Sequence, residues 1–451
     1  MHGNTARCNQ KFPNLDRQVR LPVSRVGTEN ILMEVNGICD IFQNEELYRI
    51  CRVQLIRSVP SVIQSQCIVQ VEVTCASEFN EPVDTQLLGS VTYLLNLTRK
   101  IINRTECSYI NYKAIKSNGS TATSKLRFSA PQEAGSYTLT ISACATTEAW
   151  IVIPLMTETF EVCDSVLFER KWKGQYIPKL LGCYRTIQCR NATVTVKEEY
   201  GNTLGSHIYD SSIVILRYIS SLSTCVLDSL LNRYGMKEHK KPYAGMATAT
   251  STANSGGTNN VNIVELGAGC GLVGLWIAKY LKDRQPLICD TDNNAATISA
   301  VNYNIHLTDK NAQLPLLLHN THVNSFNTTK QSNNILSIQC NELDWSNEIQ
   351  INSYKSAFHE ESVRLIVAGD VFYSRDAAVL LAHVIHKLST PGVTQVLVAQ
   401  KLRLNHEDVP VALITVEELK SLFYFATVEL VREEADVLVW LILHIELQQQ
   451  A

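Results

Sequence analysis

The chain has 451 residues, of which 45% are apolar and 18% charged, so it can hold two or three domains with real cores and is not a disordered chain. Forty Lys and Arg against 43 Asp and Glu leave a net charge of -3, which gives no global positive field for nucleic acid or anionic lipid. Fourteen cysteines are scattered without a C-x-x-C pair, and His383 and His386 share one helix with no third ligand in register, so buried thiols are expected and a metal is not.

The opening MHGNTARCNQKFPNLDRQ has no apolar core of the signal-peptide type. The run IVILRYISSLSTCVLDSLL is broken by Arg217 and Asp228 before it could span a bilayer, so the expectation is a soluble protein. Sequons at Asn96, Asn103 and Asn118 need no explanation beyond chance. Residues 1–45 show no clear period and form a segment of their own. Residues 46–165 read as a β-rich domain: CIVQVEVTC, SVTYLLNLT, SKLRFSA, SYTLTISACA and WIVIPLMTETFEV alternate like strands and are parted by turn-rich text, a sandwich-like pattern. A linker is expected near Asp164–Gly174. After Asp210, read as an N-cap, Ile215, Ile219, Leu222, Val226 and Leu230 recur at helical spacing. The stretch MKEHKKPYAGMATATSTANSGGTNN reads as a flexible insertion.

From Val261 the text alternates between strand and helix. In order it gives VNIVELG strand, LVGLWIAKYL helix, PLICDTD strand, a helix through Asn304, LSIQCNELDW strand, VRLIVAGDVFY strand, AVLLAHVIHKL helix and TQVLVAQ strand. That order implies a parallel sheet covered on both faces, an α/β Rossmann-like fold over 190–451. Thr415 and Glu418 have capping-box spacing for a short helix VEELKSLFYF. ATVELVREE and DVLVWLILHIEL are joined too tightly for a crossover, so that pair must be antiparallel.

The strongest local signal is Val264 to Gly271, VELGAGCG, at a strand end that opens a helix. Glycines there admit close backbone approach, and free helix N–H groups suit a negative ligand. Glu265, Gly267, Ala268, Gly269 and Gly271 match the cofactor turn of methyltransferases. Gly269, Gly271 and Gly274 also spell the dinucleotide fingerprint, and the glycines alone do not decide. Asp292 ends the PLICDTD segment at a separation suited to ribose hydroxyls in either class, with Asp290 as a competitor. Glu342-Leu343-Asp344-Trp345 and Gly369-Asp370-Val371-Phe372-Tyr373 close two further strands on the carboxyl side of the sheet.

In these residues, from about Val194 onward, the chain resembles the seven-strand protein lysine methyltransferases that carry a strand-four D-x-x-Y motif, here Asp370 and Tyr373. The likeness implies S-adenosyl-L-methionine as cofactor. Gly267, Ala268 and Gly269 would back its methionine part and Asp292 its ribose. Asp344 and Trp345 would flank its adenine, with Gly369 and Asp370 as the floor near the sulfonium. Tyr209 stands where family members usually carry tryptophan ahead of the first helix, and Gly369 where alanine is common. Asp370 and Tyr373 would be the catalytic pair that positions the amine, with Phe372 as a wall. The resemblance implies a protein substrate of the nuclear nucleic-acid-binding kind and a nuclear or cytoplasmic location; the charge balance and the interrupted apolar run point to no direct nucleic-acid contact and no membrane, and the oligomeric state is left open. Two rivals remain at this point: an NAD-type oxidoreductase, and a non-catalytic interaction protein that keeps the fold. The likeness says nothing of the first half.

Overall fold

The computed structural model describes residues 38–40, 49–57, 59–77, 83, 91–101, 104–106, 124–145, 150–199, 204–222, 259–283, 301–326, 336–358, 362–372, 374–391, 393–401, 427–434 and 437–443. Among them no helix is long and apolar enough to cross a membrane, and no three His, Cys, Asp or Glu side chains cluster as metal ligands.

Among the described residues the first part holds eleven strands: β1 (Ile38–Asp40), β2 (Arg49–Leu55), β3 (Val62–Gln64), β4 (Ile68–Ala76), β5 (Val91–Ile101), β6 (Arg104–Glu106), β7 (Ser124–Ser129), β8 (Gly135–Ala145), β9 (Trp150–Ile153), β10 (Leu155–Thr157) and β11 (Phe160–Cys163). Strict alternation sets the faces. In β7, Leu126 and Phe128 point inward while Lys125 and Arg127 face solvent. Strands β7-β4-β2-β9 make one sheet, and β8 with β5, β10 and β11 lies at the centre of a second. Both sheets contribute to one core, with Val53, Val71, Val73 and Leu126 from the first and Tyr93, Leu139, Ile141 and Phe160 from the second. The sandwich-like pattern is therefore realised as two sheets over a common core. In the stretch expected as a linker, helix α1 (Ser165–Lys171) forms, capped by Asp164 Oδ1 accepting from Leu167 N at 2.7 Å.

Strands β12 (Gly182–Cys189) and β13 (Ala192–Glu199) pair as a hairpin, and β12 also joins the larger N-terminal sheet through β10. In β13 every second residue is buried, and the row Ala192, Val194, Val196 runs on into Glu198. Helix α2 (Asp210–Ser221) follows. Its N-cap is Tyr209, without a side-chain cap bond, so the expected capping role of Asp210 is not seen. Asp210 is the first helical residue, and its carboxylate is taken by Arg52 and Lys401.

The second part is a seven-stranded sheet with helices between its strands: β14 (Asn259–Leu266), α3 (Leu272–Asp283), β15 (Val301–Asp309), α4 (Leu314–Val323), β16 (Leu336–Glu342), α5 (Glu348–Ser356), β17 (Val363–Gly369), α6 (Arg375–Leu388), β18 (Gln395–Lys401), β19 (Thr427–Glu434) and β20 (Val437–Leu443). Its spatial order is β16-β15-β14-β17-β18-β20-β19. All pairs are parallel except those of β20, which runs antiparallel to both β18 and β19. Neighbouring residues serve opposite faces: Ile263, Leu365 and Leu397 pack with α2 and α3, whereas Val264, Ile366 and Val396 pack with α6.

One expectation is overturned here. Residues 301–304 were read as helical, but they begin β15, which pairs with β14 from Asn259↔Val301 to Leu266↔Thr308. Asparagines at alternate positions hid the strand. They satisfy one another across the sheet, with Asn302 Nδ2 donating to Asn260 Oδ1 at 2.8 Å and Asn304 Nδ2 to Asn262 Oδ1 at 3.0 Å. The strand beside β14 therefore ends at Asp309. Asp292 and Asp290, the expected helix at 416–425 and residues 236–258 of the expected insertion at 236–260 lie outside the described residues, and the last two residues of that insertion, Asn259 and Asn260, begin β14.

Candidate functional site

The carboxyl ends of β14, β15, β16 and β17 border a cleft of about 280 Å³. Such ends are where open α/β sheets bind ligands. The turn after β14 supplies Gly267, Ala268, Gly269 and Cys270. Asp309 and Lys310 come from the end of β15, Leu343 and Trp345 from the end of β16, and Gly369, Asp370 and Val371 from the end of β17. The segment before α2 closes the other side with Leu204, Gly205, His207, Ile208 and Tyr209. The Tyr209 hydroxyl donates to Leu204 O, which curls this segment on itself.

The turn needs glycine for two separate reasons. Gly267 and Gly269 have φ of +64° and +55°, where a Cβ is strained, and a Cβ on Gly269 would stand 2.9 Å from the backbone oxygen of Gly205. The turn is stitched to β15, with Ala268 N donating to Thr308 O at 2.9 Å and Gly269 N to Asp309 Oδ2 at 2.8 Å. Asp309 Oδ1 accepts from Lys310 N at 2.7 Å. Burial raises the Asp309 carboxyl above its ordinary range, partly offset by these N–H donors.

At the end of β17, Asp370 has φ of +57°, an uncommon conformation for aspartate, and its side chain is almost wholly buried. Its Oδ1 accepts from Gln400 Nε2 at 2.8 Å and from Ser211 Oγ at 3.4 Å, while its N–H donates to Ala399 O at 2.8 Å. Gln400 Oε1 in turn accepts from Phe372 N at 3.0 Å, so one amide spans the D-V-F segment.

Of the residues singled out in the sequence, the cleft brings together Tyr209, Gly267, Ala268, Gly269, Trp345, Gly369 and Asp370. Three others are not among its lining residues. Glu265 is buried under the turn, where its Oε2 accepts from Gly274 N at 2.8 Å, and burial pushes its carboxyl up to about 8. Gly271, at φ +78°, closes the turn by donating to Ala268 O at 2.7 Å. The Asp344 carboxylate is held by the backbone N–H and hydroxyl of Ser346, which keep it below the usual range. Phe372 belongs to the core on the α6 side and is no cleft wall. Tyr373 lies outside the described residues. Sequence reasoning missed Asp309, Gly205, Gln313 and Gln400. The signal for Asp309 was present, since NIHLTD ends an alternating run just before LPLLLHN.

An antiparallel strand inserted between the fifth strand of the sheet and its last neighbour distinguishes this sheet from the dinucleotide-binding order, in which six strands follow 3-2-1-4-5-6. Strand order and turn together define a methyltransferase-type sheet. A profile described as lysine methyltransferase matches residues 188–416, just over half of the chain, and the chain belongs to that family. No curated protein sequence matches significantly. Among solved structures the chain is similar to a fibrillarin/Nop5p complex, at 14% identity over 41% of this chain and 72% of that one with a TM-score of 0.26. It is also similar to the Lin-41 filamin domain, at 12% identity over 25% and 91% with a TM-score of 0.16. A third similarity is to the bacterial superantigen toxic shock syndrome toxin-1, at 14% identity over 25% and 98% with a TM-score of 0.15.

Proposed function

We propose that the chain transfers a methyl group from S-adenosyl-L-methionine to the side-chain amine of a lysine in a protein substrate. The observation that carries this reading is the meeting, at four successive strand ends, of the glycine turn, Asp309, Trp345 and Asp370 beneath Tyr209. The cleft suits the cofactor: Gly267 and Gly269 leave bare backbone where side chains would intrude, Asp309 offers a carboxylate for paired hydroxyls, and Trp345 and Tyr209 offer aromatic faces. When bound, the cofactor supplies a methyl carbon on a sulfonium, open to in-line attack by nitrogen. The task left to the chain is to align a neutral amine and exclude water. A lysine amine must first lose its proton, and a dry, partly apolar cleft lowers its pKa. Asp370, fixed through Gln400 and Ser211, is suited to orient that nitrogen, and Tyr373 is its partner in the D-x-x-Y motif.

Within the family, TDNNAATISAVNYNIHL, NELDW, GDVFYSRD and QKLRLN liken the chain to methyltransferase-like protein 22. On that likeness we infer a nuclear nucleic-acid-binding protein as substrate and a nuclear or cytoplasmic site of action. Incubation of the full chain with tritiated cofactor and whole-cell extract tests the reading. A labelled protein band is expected with the wild type and none with a folded Asp370→Ala variant. A wild type that binds S-adenosylhomocysteine yet labels nothing would favour an interaction protein.

A further inference from the structure

The N-terminal sandwich reaches into the wall of the cleft through one side chain. Strand β2 turns Cys51 and Val53 toward the sandwich core, whereas Ile50 and Arg52 face the other way, and Ile50 joins the core built around α2 and α3. Arg52 is 2% exposed. Its Nη1 donates to Ile208 O, and its Nη2 donates to Asp210 Oδ1 at 2.8 Å. The opposite side of the same peptide segment is held by Glu198, whose Oε1 accepts from Ile208 N at 2.8 Å and lies 3.9 Å from Arg52 Nη1. Ile208 and its neighbours His207 and Tyr209 line the cleft. Asp210 is also paired with Lys401, the residue after Gln400, which holds Asp370. Glu198 is paired with Arg185 at 2.6 Å, and Arg185 donates to three backbone oxygens of the sandwich, Val53, Ile153 and Pro154, at 2.8, 3.2 and 3.0 Å.

Burying a charge has a considerable desolvation cost, offset here by the carboxylates of Glu198 and Asp210. Here the cost falls at the segment that forms the cleft wall. Resting on the methyltransferase reading, we infer that Arg52 is a positioning residue for the cofactor, and that the N-terminal sandwich completes the cofactor site by fixing residues 207–210. The region matched by the family profile contains the strands of the cleft but not the guanidinium that holds its wall.

The test uses the full chain with Arg52→Met, which keeps the length and removes the donors, and with Arg52→Lys, which can reach one acceptor but not both. Binding of S-adenosylhomocysteine is measured by calorimetry beside the far-ultraviolet spectrum, and methyl transfer is measured over a range of cofactor concentrations. The expectation is a Kd weakened at least tenfold in Arg52→Met and less in Arg52→Lys, at unchanged stoichiometry. KM for the cofactor should rise with little change in kcat. A role confined to general stability would instead lower the binding-competent fraction and kcat while Kd and KM stay put, and that result overturns the inference. So does wild-type affinity in either folded variant. If Arg52→Met fails to fold, Arg52→Lys decides alone. A wild type that does not bind S-adenosylhomocysteine sinks the methyltransferase reading itself, a separate failure visible before any variant is made.

Discussion

Replacing Asp309 with asparagine tests the carboxylate at the cleft end of β15 as a ribose ligand, beside the expected Asp292. The change preserves shape but replaces one carboxylate oxygen by an NH2 group. Both oxygens already face backbone donors, Gly269 N at 2.8 Å and Lys310 N at 2.7 Å, so one of the two contacts becomes donor against donor. A ribose hydroxyl that gives up this charged acceptor loses about 1.5–3 kcal/mol of binding. At about 1.4 kcal/mol per tenfold, the affinity for S-adenosylhomocysteine should fall about 10- to 100-fold. Fold stability should change less, because removing a carboxylate disfavoured by burial offsets part of the loss. The wild-type affinity should itself decline on acidification toward the raised Asp309 pKa, earlier than an ordinary carboxyl at 3.8 would require. Calorimetry at pH 7 on Asp309→Asn and Asp292→Asn separates the candidates. Loss of binding in Asp292→Asn with Asp309→Asn within twofold of wild type would falsify the assignment.

Gly269→Ala places a Cβ 2.9 Å from the Gly205 carbonyl at φ +55° and should abolish measurable cofactor binding while costing about 1–3 kcal/mol in urea denaturation. Gln400→Leu takes the 2.8 Å donor from Asp370 and the 3.0 Å acceptor from Phe372 N; steady-state kinetics should show kcat down about tenfold or more, with the cofactor Kd within about twofold. Glu198 is fully buried; burial opposes its ionisation, but Arg185, Arg52 and hydrogen bonds from Ile208 and Arg185 prevail and hold its carboxyl at about 2 against an ordinary 4.5. Being depressed in the folded state, it stabilises fully above pH 4.5 and loses that contribution as pH falls toward 2, on the order of 3 kcal/mol. Urea midpoints that stay level between pH 4.5 and 2 would contradict this.

Much of the fold was legible because both faces of the central strands are apolar and the N-terminal strands alternate cleanly, so VELGAGCG, VRLIVAG and SKLRFS declared themselves. The tight join before DVLVWLIL also fixed the antiparallel end of the sheet. The second strand was missed because its polar face is satisfied by asparagines on the neighbouring strand, a compensation invisible without the pairing register. The apolar text of PLICDTD drew the ribose assignment to Asp292, which lies outside the described residues, and Asp309, seventeen positions on at the cleft, went unnoticed. Asp210 looked like a cap for the same kind of reason: its partners Arg52 and Lys401 lie far away in sequence. Gln400 gave no signal at all, since a buried glutamine becomes informative only when both ends of its amide have known partners.

Strand β9 has no outside. Val152 belongs to the sandwich core, while Ile151 and Ile153 belong to the core around α2 and α3. Anyone trimming this protein to the profile-matched stretch for expression would strip Ile50, Ile151 and Ile153 from their seats and leave a greasy shelf on the remaining fragment. Such a truncation is expected to aggregate. The shortest piece worth making is therefore dictated by the reach of those isoleucines and not by where family likeness starts.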